Sequence, residues 1–303
     1  MPLGRSRSVR GSGARPPLRA TQGSARVHSG RTPTATGGTV IQDDFEHLRF
    51  ETLGEVLRVH IDHRTSPTNT IDGELHHELA TLFPRLRRDH VHRVVILTGS
   101  KGVFSVGADP TWLAELGEPG RIERTRFDAR AMIWDLLDVP VPVVCALNGD
   151  AVGLGASIAL LSDVIFMAEG ATISDPHVRV ALAAGDGGTA AWPLAVGPAR
   201  AKEYLLTGDP VPAPEAERIG LVNHVVPDTE LADRALAFAQ RLAAGAPLAV
   251  QYTKQAINQL VKQSLLATFD VASSLQMVTL RSEDHREALS AIAEKRPPTF
   301  RGH

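Results

Sequence analysis

Hydrophobic positions along the chain switch repeatedly between an alternating and a helical period. From Phe50 to Ile61 apolar and polar residues alternate on either side of Gly54, which predicts two short strands. A turn-rich loop, His63–Asp72, follows. Leu75, Leu79, Leu82, Phe83 and Leu86 then recur at helical spacing and predict a helix over Gly73–Arg88. Val91–Leu97 and Val141–Leu147 are short continuous apolar runs, the pattern of strands buried on both faces, with a helix expected between them from about Arg124 to Leu137. A short helix at Gly153–Leu161 and strands at Val164–Ala168 and Ala171–Ser174 continue the alternation. Strands exchanging with helices in this way predict an α/β fold.

From Pro198 onward the pattern is mainly helical. Helices are expected to end at Gly208 and Gly220, with a strand at Leu221–Val226 between them and the last segment. Leu231–Ala244, Pro247–Val261 and about Leu265–Glu294 read as three Ala/Leu-rich helices. Their apolar faces are wider than one chain needs, so self-association is expected.

Two stretches share one design. VVILTGSKGVFSVGAD (Val94–Asp109) and ALNGDAVGLGASIALLSD (Ala146–Asp163) are apolar strands that end in small-residue loops and turn into helices. Such corners can aim free backbone N–H groups at one point. Two N–H groups beside a carbonyl stabilise the oxyanion it becomes, and one such donor is worth about 2.7–4 kcal/mol. Close approach of a substrate needs glycine or other small residues, and Val106-Gly107-Ala108-Asp109 and Val152-Gly153-Leu154-Gly155 supply them.

Composition narrows the picture. In 303 residues, 43% are hydrophobic and 22% charged, as in ordinary water-exposed domains. Residues 1–42 hold seven Arg and no Asp or Glu, leaving 25 basic against 34 acidic residues in the remainder. An acidic body argues against a nucleic-acid partner. The Arg-rich stretch has almost no large apolar residues and is read as a disordered extension. Its acid-free composition resembles a transit peptide but lacks an amphipathic stripe. The single cysteine, Cys145, sits in an apolar run, which fits a packed thiol in a reducing, cytoplasmic compartment. No run of 18 apolar residues occurs, so no membrane span is expected.

With these residues in hand, the chain resembles the crotonase (enoyl-CoA hydratase/isomerase) superfamily over nearly everything after residue 50. The marks are the two corners, GDGGTAAWPLAVGPARAKEYLLTGDPVPAPEAERIGLVNHVVP, and Lys254 after APLAVQYT. The resemblance implies a crotonase-like α/β spiral of ββα repeats over residues 43–230 and a C-terminal helical trimerisation region over 231–303. It implies homotrimers or homohexamers (dimers of trimers) and an acyl-CoA thioester bound with its carbonyl between the N–H groups of Ala108 and Leu154. Val106, Gly107 and Gly153 would lie against that substrate. The loop around Arg64 and Asn69, with Lys254, would contact coenzyme A. No metal or redox cofactor is implied; coenzyme A arrives as part of the substrate.

The departures from the family pattern carry the chemistry. Hydratases of the superfamily hold water with two glutamates, and the matching positions here are Ser157 and His177. Ser157 can orient water or substrate but cannot act as a base near neutral pH. His177, with an intrinsic pKa of about 6.5, can, and in that role activity would fall below that pH. Asp186 lies nine residues further on and could fix the tautomer of His177. This pair is similar to that of 6-oxocamphor hydrolase, a C–C bond hydrolase of the superfamily, which also has a histidine where this chain has Gly155.

Plainer readings stand beside these. Asp175-Pro176-His177 could be turn chemistry, and Asp186 could cap a helix at Thr189. Asp109 and Asp163 are expected to be structural. Asp128, Asp135 and Glu115, together with His76, His77, His90 and His92, are expected at the surface. Three functions follow in order of preference: a hydratase/isomerase working through His177 and Asp186, a retro-Claisen hydrolase of a β-diketone or β-ketoacyl thioester, and an acyl-CoA binding protein without turnover.

Overall fold

The computed structural model describes residues 44–118 and 120–303; the expectation for residues 1–42 lies outside them. An antiparallel hairpin opens the fold: β1 (Leu48–Leu53) pairs with β2 (Val56–Ile61) across Gly54, whose φ of 66° suits glycine. Helix α1 (Gly73–Leu86) starts where Asp72 caps it, its carboxylate accepting from the N–H groups of Glu74 and Leu75. The predicted stripe Leu75, Leu79, Leu82, Phe83 and Leu86 is fully buried.

Three apolar strands then stack beside β2. β3 (Val94–Gly99), β4 (Val143–Leu147) and β6 (Val164–Ala168) join in parallel, and β9 (His224–Val226) closes the sheet, in the order β1-β2-β3-β4-β6-β9. Every residue of β3 and β4 is buried, as their unbroken apolar runs require. Cys145 lies inside β4, and burial pushes its thiol pKa up, so it packs as a small hydrophobe.

A second, smaller sheet runs beside the first: β5 (Ala151–Val152), β7 (Thr172–Ser174) and β8 (Val211–Pro212). Isolated bridges extend it, Ser105 to Ala151 and Ile71 to Ala108. Each turn of chain thus contributes a strand to the large sheet, a short extended piece to the small one, and a helix. The helices are α2 (Pro110–Glu115) and α3 (Arg121–Asp138), then α4 (Leu154–Leu160), α5 (Gly188–Thr207) and α6 (Ala213–Arg218). Helix α5 breaks at Gly197, which has φ 78° and ψ 159° and precedes Pro198.

The C-terminal region differs from expectation. After α7 (Leu231–Ala243), a single helix, α8 (Pro247–Leu280), runs 34 residues, where a break near 262–264 was expected. Lys262-Gln263-Ser264 contains no helix breaker, and the packing of Leu265 and Phe269 into the core carries the helix on. The stop comes at Arg281, after which Ser282 caps α9 (Glu283–Ala293) by accepting from the N–H of His285. Helix α2 was not anticipated either; Asp109 caps it, accepting from Thr111 and Trp112. No described helix is long and apolar enough to cross a membrane.

Candidate active site

The two glycine corners meet because the small sheet sews them together. The Val152 N–H donates to Ser105 O at 2.9 Å, and the Ser105 N–H donates to Asp150 O at 3.0 Å. Gly107 has φ 84°, a conformation that favours glycine, and a Cβ there would also crowd the Val152 carbonyl at 3.1 Å. Gly153 has φ 56° and donates to Ser174 O at 2.9 Å, which turns the chain into α4. Ala108 and Leu154, the residues after these glycines, line one cavity of about 110 Å³. Leu154 begins α4, so its N–H has no partner within the helix. Neither this N–H nor that of Ala108 donates to another described residue. Two unpaired amides at one apolar cavity are suited to an anionic oxygen.

His177 enters the same cavity from the 3-10 turn His177–Val180. Its Cε1 would lie 3.6 Å from a Cβ placed on Gly153, so the ring stands against the second corner. Its Nδ1 donates to Asp175, whose side chain is fully buried, and its Nε2 faces Asp186 Oδ2 at 3.4 Å. Asp186 in turn accepts from the Ser157 hydroxyl at 3.1 Å. Burial alone would lower the His177 pKa, but the two flanking carboxylates outweigh it and hold the imidazole well above its ordinary 6.5. Asp186 shows the converse: burial raises its pKa, and the His177 charge, with the hydrogen bonds from His177 and Ser157, brings it below 3.8. Both shifts run toward a protonated ring between two ionised carboxylates, the opposite direction from the neutral base expected at His177.

Other expectations need similar adjustment. Ser157 is fully buried and bonded to Asp186, so it orients that carboxylate rather than water. Asp186 does not cap α5: the capping residue is Gly187, without a side-chain hydrogen bond. Asn69 is also fully buried. Its Oδ1 accepts from His63 N at 3.0 Å, and its Nδ2 donates to the carbonyls of Ile61 at 2.9 Å and Val103 at 3.2 Å. Its side chain is thus occupied in fastening the loop. Lys254 is likewise occupied, with Nζ 2.7 Å from Asp163 and 2.9 Å from the Val141 carbonyl, at a surface groove apart from the cavity. Arg64 lies at the surface on Glu46 at 2.7 Å. Val106 donates from its N–H to Thr68 O at 3.3 Å and joins this loop to the first corner.

Two residues were missed. Asp175, read as turn chemistry, is the closer partner of His177; its position two residues upstream was the available signal. His76, expected at the surface, is buried on the stripe of Leu79, Phe83 and Leu86 and lines the cavity beside Trp112. Burial lowers its pKa to about 4, so it is a neutral polar group there. His92 is also buried, 2.5 Å from Asp89. Asp128, Asp135 and Glu115 occupy ion-pair or rim positions, near His77, Arg87 and Arg121.

Two described clusters have the donors for a metal ion. In Asp175–His177–Asp186 the imidazole is already engaged on both sides, a poor match to an open ligand set. In His47–His63–Asp72 both histidines accept backbone N–H bonds at Nδ1, and their rings stack at 4.2 Å.

An α/β spiral with a buried acid/base cluster facing paired glycine corners is the framework of an enzyme active site. The chain belongs to the enoyl-CoA hydratase/isomerase family, whose pattern it matches over residues 51–303. It is 32% identical to the 2,3-dehydroadipyl-CoA hydratase of Escherichia coli over 242 residues, 79% of this chain and 92% of that one. Among solved structures, an enoyl-CoA hydratase/isomerase from Mycobacterium paratuberculosis superposes with a TM-score of 0.78 at 35% identity, covering 82% of this chain and 99% of the other. A β-diketone hydrolase from the cyanobacterium Anabaena superposes with a TM-score of 0.74 at 30% identity, covering 78% and 95%. The crotonase-type fold and an enzyme of hydratase/isomerase type, expected from the sequence, are both upheld.

Proposed function

We propose that this enzyme adds water across, or shifts, the double bond of an enoyl-CoA thioester. The observation that carries the reading is the His177–Asp186 couple set against the Gly153 corner, in one cavity with Ala108 and Leu154. The thioester oxygen lies between the N–H groups of Ala108 and Leu154, with Val106, Gly107 and Gly153 giving the backbone room to approach. In the hydration direction Asp186 takes a proton from water as the water oxygen bonds to Cβ. The π electrons move toward the thioester, where the two amides hold the developing enolate. His177 then gives its Nε2 proton to Cα, and the proton on Asp186 passes to His177, restoring the cluster. Asp175 keeps the ring oriented throughout, as a buried carboxylate does for a catalytic histidine. In isomerisation the same carboxylate removes one proton and the cluster returns it elsewhere.

The reaction draws on no metal or redox group of the protein, and coenzyme A is part of the substrate. Loss of crotonyl-CoA absorbance, compared between wild type and Asp186→Asn, tests this reading; no turnover with any chain length would overturn it. The likeness to a β-diketone hydrolase supports a second reading, in which Asp186 and His177 deliver water to a ketone carbonyl and a C–C bond breaks. Acid release from a cyclic β-diketone without coenzyme A would favour it. Self-association is proposed on the exposed apolar side chains of α8, among them Leu248, Tyr252, Ile257 and Leu260. A homotrimer or hexamer, in the cytoplasm, is the form we expect; light scattering after gel filtration tests the assembly.

A further inference from the structure

Helices α3 and α8 each turn one face into the cavity, and the polar members of those faces meet. On α3 the face is Ile122, Thr125, Arg126 and Ala129, at i, i+3, i+4 and i+7; on α8 it begins with Ser273 and Gln276 in the same rhythm. Arg126 is the one Lys or Arg among the described residues that line the cavity. Its Nε donates to Ser273 Oγ at 3.1 Å, and one Nη reaches Ser274 Oγ at 3.4 Å. These bonds fix the plane of the guanidinium but do not neutralise it.

The acid nearby does not balance it either. Asp270 stands 3.6 Å from Arg126 and 3.7 Å from Arg130, so one exposed carboxylate serves two guanidinium groups. The half-buried Arg126 therefore keeps a positive charge that Asp270 only partly offsets, in a cavity whose other charged lining is the His177–Asp186 couple and whose remaining walls are largely apolar. Such a group attracts a carboxylate in a planar, two-point contact. An uncharged acyl tail would offer it no counter-charge beyond the shared Asp270 and would bear part of its desolvation.

We propose that Arg126, oriented by Ser273, binds a carboxylate at the far end of the acyl chain, so that the preferred substrates are ω-carboxyacyl-CoA thioesters. The inference rests on the acyl-CoA reading above, and its test separates the two. Binding of a saturated ω-carboxyacyl-CoA and of an alkanoyl-CoA of equal chain length is measured by calorimetry. Turnover of the matching 2-enoyl-CoA pair is measured in parallel. The wild type is expected to bind the acid-ended thioester on the order of 10- to 100-fold more tightly, with kcat/KM in the same direction.

Arg126→Gln is expected to erase that preference while leaving the uncharged thioester within about threefold, and Arg126→Lys to keep part of it. Equal binding of both thioesters by the wild type overturns the proposal. So does an equal loss for both in Arg126→Gln, the mark of a contact to the phosphates of coenzyme A. Selective binding without turnover would uphold the carboxylate subsite and sink the hydratase/isomerase chemistry instead.

Discussion

Nε2 of His177 stands 3.4 Å from Oδ2 of Asp186, while the opposite nitrogen of the same ring is held by Asp175. Two buried carboxylates flanking one imidazole favour its protonated form, and on the proposed mechanism that leaves Asp186 as the base.

The pH dependence follows from this. A neutral histidine base would lose activity below its ordinary pKa of 6.5. With His177 raised by Asp175 and Asp186 against the effect of burial, the acid form persists above 6.5, and Asp186 stays ionised down past 3.8. Activity is expected to hold near pH 6 and to fall as pH rises through the His177 value. Stability runs the same way on that limb. A raised histidine contributes stability that is complete below its unfolded value near 6.5 and is lost as pH climbs through the folded value. The depressed Asp186 adds a second contribution, present above 3.8 and lost as pH falls through its folded value. A kcat/KM profile that collapses on the acid side of 6.5 would restore the neutral-base assignment.

Substituting the three members should separate their tasks. Asp186→Asn and His177→Ala are each expected to lower kcat by about 10²- to 10⁴-fold, the range for a group that moves a proton in the transition state. Asp175→Asn keeps the shape but removes one charge from the ring. It is expected to retain measurable activity while moving the alkaline limb toward neutral pH. An unmoved limb in Asp175→Asn would mean that Asp175 contributes only packing.

The fold was readable because its evidence is local. Val94–Leu97 and Val143–Leu147 are apolar without a break, and Leu75, Leu79, Leu82, Phe83 and Leu86 repeat at a helical period; both patterns state burial directly. The bend between α8 and α9 was harder, because helix and interruption differ there by one capping serine, Ser282. At the site, glycine spacing marked the two corners, and the resemblance to the family then singled out Ala108, Leu154, His177 and Asp186 within and beyond them. The protonation of His177 could not be read this way, since it depends on how Asp175 and Asp186 are placed in space. The occupations of Asn69 and Lys254 were equally hidden, because their partners Ile61 and Val103, and Asp163, lie at long separations along the chain.

Gly188 offers a structural test of the cluster. A Cβ at this position would stand 2.2 Å from Asp175 Oδ2 and 3.7 Å from Ser157 Oγ. Gly188→Ala must push the carboxylate away from His177 or shift the start of α5. Overpacking of this kind costs about 1–3 kcal/mol, and kcat should drop at least about tenfold, because a displaced Asp175 misplaces the His177 ring. Gly117→Ala, whose new Cβ would meet, among the described residues, the Ala114 carbonyl at 3.6 Å, serves as control. Equal kinetics in the two variants would show that Asp175 has slack the geometry does not suggest.

Lys254 separates a structural role from a binding one. Its side chain is nearly enclosed and ends on Asp163 at 2.7 Å, and Asp163 also accepts from the Val143 N–H at the head of β4. Lys254→Met leaves a largely buried carboxylate without its counter-charge, and breaking such a pair from one side costs about 3–5 kcal/mol. Adding Asp163→Asn removes the stranded charge, so the double variant should be less destabilised than the sum of the single ones. The measurement is thermal melting of all three variants beside KM for an acyl-CoA. A large fall in melting temperature at unchanged KM is expected for Lys254→Met. A raised KM at unchanged melting temperature would return the residue to coenzyme A.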